Sequence, residues 1–295
     1  MRAPSNKGEL HPNNRHKGRY DFAQLTKAYP SLEQFLIAGR DNGTTINFFD
    51  DKAVRALNTA LIIYHYDLEY WELPATALTP AIPSRADYIH YLAELVGKKK
   101  SGTVRCLDIG VGANCIYPII GSKEYDWNFV GSDTEIDSIS NAQKIIDNNT
   151  RLGGKIELRH QNNSKAIFEG IVKPDEYFDM CMCNPPFHSS AKSAMEGSQR
   201  KLRNLKGGNN AKATLNFAGA ANELWCEGGE RGFITKMIDE SIGLRTNFRW
   251  FTSLVSNEDN LPALERRLAK ARVFEHRIIN MAQGNKRSRI LAWRY

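Results

Sequence analysis

The chain lacks any apolar run long enough to cross a bilayer, which takes about 20 consecutive apolar residues. Residues 1–19 are polar and contain no hydrophobic segment that could act as a secretory signal. We therefore expect a cytoplasmic protein without a membrane partner. Hydrophobic residues make up 41% of the 295 residues. This content excludes a disordered chain and suffices for one large α/β domain with an appendage, or for two modest domains.

Cysteine is scarce and wrongly spaced for a metal site. The five cysteines are Cys106, Cys115, Cys181, Cys183 and Cys226. Only one residue separates Cys181 from Cys183, and no second Cys/His pair stands nearby to complete four zinc ligands. We expect buried, reduced thiols and no bound metal.

The patterning of the chain changes near residue 100. Residues 1–20 are rich in Asn, His, Lys and Arg and predict an extended basic arm. Helical spacing then follows over 53–63, preceded by the candidate N-caps Asp50 and Asp51, and over 88–96. We therefore expect two parts, a basic arm with a small helical region over 1–100 and a larger domain over 101–295.

Strand-like runs alternate with helical segments from Thr103 onward. The predicted strands are 104–109, 127–131, 155–160, 177–183, 248–255, 273–281 and 289–293. Strands separated by helices, such as the amphipathic 136–149, predict an α/β fold with a mostly parallel, doubly wound sheet. Ligands bind such sheets at the carboxyl ends of the strands. The last two runs are only a short loop apart, which predicts a terminal antiparallel hairpin.

A glycine turn, Asp108-Ile-Gly110-Val-Gly112-Ala-Asn114, follows the first predicted strand. The full G-x-G-x-x-G fingerprint is missing, which disfavours a dinucleotide, and a lone G-x-G is also common in plain tight turns. Asp133 ends the second strand about 20 residues on, where a carboxylate can accept hydrogen bonds from ribose hydroxyls. Taken alone, Asp133 is better suited to be the N-cap of the helix that follows. Together, the turn and the acid predict an adenosine-bearing cofactor.

The sequence Asn184-Pro185-Pro186-Phe187 directly follows the strand 177–183. The prolines stiffen the turn, so that the Asn184 side-chain oxygen and the Pro185 carbonyl could accept hydrogen bonds from one amino group. Phe187 offers a flat face for a flipped base. Methyl transfer from a sulfonium depends on in-line positioning more than on a strong base, so the lack of a Ser-His-Asp arrangement does not exclude it. This motif favours S-adenosylmethionine as the cofactor, although Asn-Pro-Pro is also a good loop breaker.

Asn-Pro-Pro-Phe after a fourth strand resembles the signature of class I methyltransferases that act on exocyclic amines or amides. Further segments resemble the bacterial RlmF-type 23S ribosomal RNA adenine-N6 methyltransferases. The resembling segments are 10–16, 19–22, 85–90, 107–121, 184–189, 223–229, 250–256 and 282–284 with Ser288. They are spread over almost the whole chain. The eukaryotic relative that methylates a spliceosomal small nuclear RNA is similar over the same core.

The resemblance implies a Rossmann-like class I methyltransferase with a seven-stranded sheet. The implied reaction transfers a methyl group from S-adenosylmethionine to N6 of one adenine in 23S ribosomal RNA, at position 1618. Residues predicted to bind the cofactor are Arg85, Asp108, Gly110, Gly112, Asn114 and Asp133, and the catalytic set is Asn184, Pro185, Pro186 and Phe187. Arg85 can bind a carboxylate bidentately. Asp133 stands where the eukaryotic relatives carry Glu.

Positive charge is concentrated in segments that are patterned like loops, and the net charge is +7. We expect two of these segments to contact phosphates of 23S ribosomal RNA. The predicted contacts are Arg15, Lys17 and Arg19 in the arm and Arg200, Lys201 and Arg203 in the loop after the Asn-Pro-Pro-Phe turn. The alternative for these segments is a solvated loop without a partner.

Three other functions share parts of this pattern. A ribosomal RNA guanine-N2 methyltransferase would also carry Asn-Pro-Pro-Phe-His. A glutamine-amide methyltransferase acting on a translation factor more often has Tyr after the prolines. A non-catalytic RNA-binding protein with the same fold should show a degraded turn, whereas Asn184–Phe187 is intact.

Overall fold

The structure is a computed structural model that describes residues 8–39, 42–75, 77–98, 101–186, 226–283 and 286–295. Its helices are α1 (Phe22–Ala28), α2 (Asp51–Tyr66), α3 (Ile82–Val96), α4 (Ile116–Tyr125), α5 (Ile136–Asp147), α6 (Gly229–Ser241) and α7 (Leu261–Lys270). Its strands are β1 (Leu36–Ala38), β2 (Thr44–Ile46), β3 (Arg105–Ile109), β4 (Asn128–Asp133), β5 (Ile156–His160), β6 (Phe178–Cys183), β7 (Phe248–Val255), β8 (Glu275–Gln283) and β9 (Lys286–Arg294). Short 3-10 helices lie at Pro30–Phe35, Thr150–Leu152, Ile242–Leu244 and Glu258–Asn260.

Seven strands form one sheet in the order β5-β4-β3-β6-β7-β9-β8. Strands β3 to β7 are parallel, β9 is antiparallel to β7, and β8 and β9 form the closing hairpin. The predicted fold class and all seven predicted strands are therefore confirmed, with ends shifted by a few residues. The strand order reverses between β3 and β6, which is where open α/β sheets bind ligands.

Strand β6 is buried along its whole length because helices cover both faces of the sheet. Met180 and Met182 belong to one hydrophobic cluster, whereas Cys181 and Cys183 belong to the other. This alternation follows from the two-residue period of a strand. Burial raises the pKa of both thiols. All five cysteines are free, as expected, but Cys226 is only half-buried.

The helical region before the sheet contains one element that the sequence did not indicate, a small antiparallel hairpin of β1 and β2. The predicted helix at 53–63 is confirmed as part of α2. Asp50 is its N-cap and accepts a hydrogen bond from the Lys52 backbone nitrogen at 2.9 Å, while Asp51 is the first helical residue. The chain leaves the helix at Asp67, whose φ of 52° is left-handed.

The described part of the predicted extended arm is packed against α3 rather than free. His11, Asn14 and His16 are buried. The Asp87 carboxylate on α3 accepts from the His11 backbone nitrogen at 2.8 Å and from the Asn14 side chain at 2.7 Å. Composition predicted the polarity of the arm but not which of its polar groups find buried partners.

A single hydrophobic cluster includes side chains from both sides of residue 100, such as Leu92 on α3 and Ile119 on α4. The division into parts over 1–100 and 101–295 stays a prediction. What matters for the site is that α3 packs against α4 and reaches the carboxyl end of the sheet.

Candidate active site

The glycine turn lies between the carboxyl ends of β3 and β4. Gly110 and Gly112 have φ of 76° and 64°, in the left-handed region that favours glycine. The Gly110 nitrogen donates to the Ser132 carbonyl at 2.8 Å. A Cβ at Gly110 would meet no atom within 4 Å, so the turn leaves open space in front of its backbone. The turn therefore presents accessible backbone to a ligand.

Asp133 closes this turn from the end of β4. Its carboxylate accepts from the Gly112 nitrogen and from the Glu135 nitrogen, both at 2.9 Å. The N-cap of α5 is Glu135, so the alternative interpretation of Asp133 as that cap is wrong. Burial raises the pKa of Asp133.

Asp108 is fully buried in β3, directly before the turn. Neither carboxyl oxygen has a hydrogen-bond partner among the residues that the structure describes. Burial, and then repulsion from Asp133, raises the pKa of Asp108 to about 8. An unpartnered buried carboxyl group is costly.

The Asn-Pro-Pro turn begins at the end of β6 and is held from α3. The Tyr88 hydroxyl lies 3.4 Å from both the backbone nitrogen and the carbonyl oxygen of Cys183, and 2.9 Å from Thr252 Oγ1. One turn earlier on α3, Arg85 contacts the next residue, Asn184. The Asn184 amide is best satisfied with its oxygen toward Arg85, where it accepts from both terminal guanidinium nitrogens at 3.2 Å. Two side chains of one helix thus hold two consecutive residues of the turn.

One cavity of about 490 Å³ joins the glycine turn to the Asn-Pro-Pro turn. The predicted residues that line it are Arg85, Gly110, Gly112, Asn114, Asp133, Asn184 and Pro186. Asp108 lies behind this wall, and Pro185 is buried and does not line the cavity. Phe187 lies outside the described residues. Most of the residues predicted to bind cofactor or target therefore surround one space, although they come from α3 and from three strand ends.

Comparison with known proteins agrees with this geometry. A family of RNA methyltransferases matches residues 4–295, almost the whole chain. The chain belongs to this family. The "Ribosomal RNA large subunit methyltransferase F" of Bacteroides fragilis is 54% identical over 302 residues, which cover 98% of this chain and 99% of that protein.

Solved structures of human METTL16 are similar over nearly the whole chain. Its catalytic domain in complex with the MAT2A 3′UTR hairpin 1 has a TM-score of 0.80 and 28% identity, covering 97% of this chain and 95% of that one. Its N-terminal domain in complex with SAH has a TM-score of 0.77 and 27% identity, covering 97% and 98%. The predicted resemblance to this eukaryotic relative is confirmed.

Several residues that line the cavity were not predicted. They are Leu78–Pro80 before α3, Gln161 and Ser164–Ile167 after β5, and Glu227, Phe233 and Lys236 at or on α6. The residues after β5 could have been expected, because they follow the carboxyl end of a parallel strand. Phe233 and Leu78 carry no signal in the sequence, because tertiary packing alone brings them to the cavity.

The basic residues predicted to contact RNA have different surroundings. Arg15 forms a bidentate ion pair with Glu124, at 2.6 and 2.8 Å, and Lys17 donates to the Pro12 carbonyl at 2.8 Å. Arg19 is exposed. Arg200, Lys201 and Arg203 lie outside the described residues. Arg15 is thus already paired with a carboxylate, which its position in a basic segment did not reveal.

Within the described ranges, no group of three or more His, Cys, Asp and Glu side chains could hold a metal ion. In the same part of the chain, no helix is both long and apolar enough to span a membrane.

Proposed function

We propose that the protein transfers the methyl group of S-adenosylmethionine to N6 of an adenine in large-subunit ribosomal RNA. The observation that carries this proposal is the shared cavity of about 490 Å³ between the glycine turn and Asn184. The rRNA methyltransferases among its relatives support the substrate class. Position 1618 of 23S ribosomal RNA is the target that the family resemblance implies.

The residues of the cavity fit this cofactor. The backbone of Gly110–Gly112 permits close approach, and the Asp133 carboxylate can accept from ribose hydroxyls. The Arg85 guanidinium can bind a carboxylate bidentately. Asp108, whose carboxyl oxygens have no hydrogen-bond partner among the described residues, lies behind the turn and does not line the cavity. When bound, S-adenosylmethionine supplies a methyl group on a positively charged sulfur.

Asn184 and Pro185 would hold the target amine. The side-chain oxygen of Asn184 and the backbone carbonyl of Pro185 each accept a hydrogen bond from one N–H of the amine. The nitrogen lone pair is then directed into the cavity rather than delocalised into the adenine ring. Pro186 restricts the turn so that the two acceptors keep their spacing. Phe187 stacks on the flipped base. The side chains contribute position and orientation, which are the main requirements of in-line methyl transfer.

RNA would be held mainly by charge. We assign phosphate contacts to Lys17 and Arg19 and to the loop residues Arg200, Lys201 and Arg203, which follow the Asn-Pro-Pro turn in the chain. Arg15 contributes least, because its guanidinium is already paired with Glu124. Such contacts give affinity that decreases with salt, and no choice of base.

A labelling experiment tests the proposal. Tritiated S-adenosylmethionine is incubated with the protein and with unmodified ribosomal RNA, and the RNA is digested to nucleosides. We expect label in N6-methyladenosine at one position of 23S RNA. Label in N2-methylguanosine would instead establish the guanine alternative, and RNA binding without any label would establish the non-catalytic one.

A further inference from the structure

Arg85 is engaged at the edge where the cofactor is expected to bind it. Its two terminal nitrogens both lie 3.2 Å from the Asn184 side-chain oxygen. One of them also donates to the Tyr117 hydroxyl at 3.0 Å. A single amide oxygen therefore sits across the fork of the guanidinium. This end-on edge is one of the two edges of a guanidinium at which a carboxylate forms two parallel hydrogen bonds.

A carboxylate that binds at this end-on edge competes with the Asn184 oxygen, because both need the same donors. While Asn184 spans both terminal nitrogens, this edge has no pair of parallel N–H bonds for a carboxylate. A carboxylate forms two parallel, charge-assisted hydrogen bonds with a guanidinium, whereas the amide offers it a single neutral oxygen. We therefore expect the carboxylate to displace the Asn184 oxygen from Arg85. Until it does, the lone pairs of the Asn184 oxygen are directed at the guanidinium and are not available to a substrate amine.

Tyr117 keeps Arg85 in the cavity while this exchange takes place. The Tyr117 ring is buried, and the guanidinium carbon of Arg85 lies 5.6 Å from its centroid. The ring packs edge-on against the ring of Tyr88, with centroids 5.5 Å apart. The Tyr88 hydroxyl in turn donates a hydrogen bond to the carbonyl oxygen of Cys183, the residue before Asn184. The guanidinium can thus turn from Asn184 toward the cofactor while its bond to the Tyr117 hydroxyl is kept.

We propose that Arg85 makes capture of the target amine depend on the cofactor. Without cofactor, Arg85 holds the Asn184 oxygen. When Arg85 binds the cofactor's carboxylate, it releases this oxygen to accept from the adenine amine. The inference rests on the proposed function, since it assumes that the amine is bound by Asn184. Coupling between two ligands is reciprocal, so the RNA must tighten cofactor binding by the same factor.

The test measures amine recognition without turnover. Two fragments of the methylated region of 23S RNA are compared, one with adenosine at the target and one with purine riboside, which lacks the amine. Their dissociation constants are measured with and without S-adenosylhomocysteine, which has the carboxylate but no methyl group to transfer. The readout is the dissociation constant of the purine riboside fragment divided by that of the adenosine fragment, so that a high ratio means recognition of the amine. In the wild-type protein, we expect a ratio near one without this ligand and a rise of about tenfold with it, within the usual range of coupling between sites.

Substitution of Arg85 sharpens the test. In Arg85→Met the Asn184 oxygen has no guanidinium partner, so we expect the protein to prefer adenosine even without S-adenosylhomocysteine. Arg249→Met is the matched control, since it removes an exposed arginine on β7 that does not line the cavity. Its ratio should still depend on S-adenosylhomocysteine as in the wild type.

A wild-type ratio that is already high without S-adenosylhomocysteine overturns the coupling and leaves the proposed function in place. A ratio near one in both states also overturns the coupling, and the labelled-nucleoside experiment then decides separately whether N6 of adenine is the target. The wild-type measurement alone decides the matter if Arg85→Met does not fold.

Discussion

Glu176 and Asp108 are two carboxyl groups beside the same sheet, but their surroundings are opposite. Glu176 precedes β6 and accepts from Arg159 at 2.6 Å and from Arg105 at 2.7 Å. These guanidinium groups, Arg159 first, hold the pKa of Glu176 well below its usual range. Asp108 in β3 has no hydrogen-bond partner among the described residues, and burial raises its pKa to about 8.

The comparison separates groups that stabilise the fold from groups that serve the cavity. Glu176 links β5, through Arg159, to the first residue of β3, Arg105, so its charge is matched within the protein. Asp108 has no such partner among the described residues and lies two residues before Gly110, behind the cavity. A fold keeps such a costly group where it serves function. Substitutions should therefore have opposite effects at the two positions.

The largest effect is expected for Asn184→Ala, which removes the acceptor at the cavity without touching the ion pairs of the sheet. We expect the methylation rate to fall about a hundredfold or more, because the amine loses its orientation. The affinity for S-adenosylhomocysteine, measured by calorimetry, should not fall below that of the wild type, because Arg85 remains available to its carboxylate. Asn148→Ala, in the C-cap of α5 and exposed, is the matched control. Full activity in the Asn184 variant would remove this side chain from the mechanism.

Glu176→Gln should affect the fold and spare the cavity. Two guanidinium groups lose their carboxylate, and we expect the free energy of unfolding to fall by about 3 kcal/mol, as for other broken pairs with little exposure. Glu176 has a lowered pKa, so its stabilisation is present above pH 4.5 and is lost as the pH falls further. The difference in denaturant unfolding between variant and wild type should therefore shrink in acid.

The control for this substitution is Glu157→Gln. Glu157 is half exposed and shares Arg159, so its removal should cost clearly less than that of Glu176. The division between paired and unpaired carboxyl groups would be contradicted if both variants lost the same free energy of unfolding. It would also be contradicted if Glu176→Gln bound S-adenosylhomocysteine more weakly.

Asp108→Asn should show the reverse pattern, with a smaller effect on stability. The folded protein keeps Asp108 protonated up to about pH 8, whereas the unfolded chain ionises near pH 3.8. The folded state binds the extra proton, so this group lowers stability as the pH rises from about 4 to 8. At pH 8 we expect the free energy of unfolding of the variant to exceed that of the wild type by about 1 kcal/mol, which is less than the value of one pKa unit. We also expect the variant to bind S-adenosylhomocysteine more weakly. A stability difference that does not change between pH 5 and 8 would show that Asp108 is not the titrating group.

Sequence patterning predicted the sheet well because its central strands, such as β3 and β6, are buried on both faces and end at clear breaks. The glycine turn and the Asn-Pro-Pro turn were found for the same reason, since each directly follows such a strand. The hairpin of β1 and β2 escaped prediction, because two strands of three residues leave almost no pattern. Phe233 and Leu78 escaped because nothing local distinguishes a residue that lines a cavity from one that packs in a core.

The arm shows where composition misleads. Its composition predicted an extended basic segment with Arg15 as an RNA contact, whereas the structure buries His11 and Asn14 and pairs Arg15 with Glu124. Asp87 and Glu124 lie 76 and 109 residues away from their partners in the arm. No local pattern contains that information.

The order of apolar runs, glycines and prolines in the sequence by itself determined the parallel sheet and the two turns at its carboxyl end, because strand period and backbone geometry are local properties. Only the tertiary structure decided which charges are satisfied. Three arrangements depend on contacts between distant parts of the chain: the pairing of Arg85 with Asn184, the position of Glu176 between two arginines, and the lack of a described partner for Asp108. Burial makes each of these contacts, or its lack, energetically large.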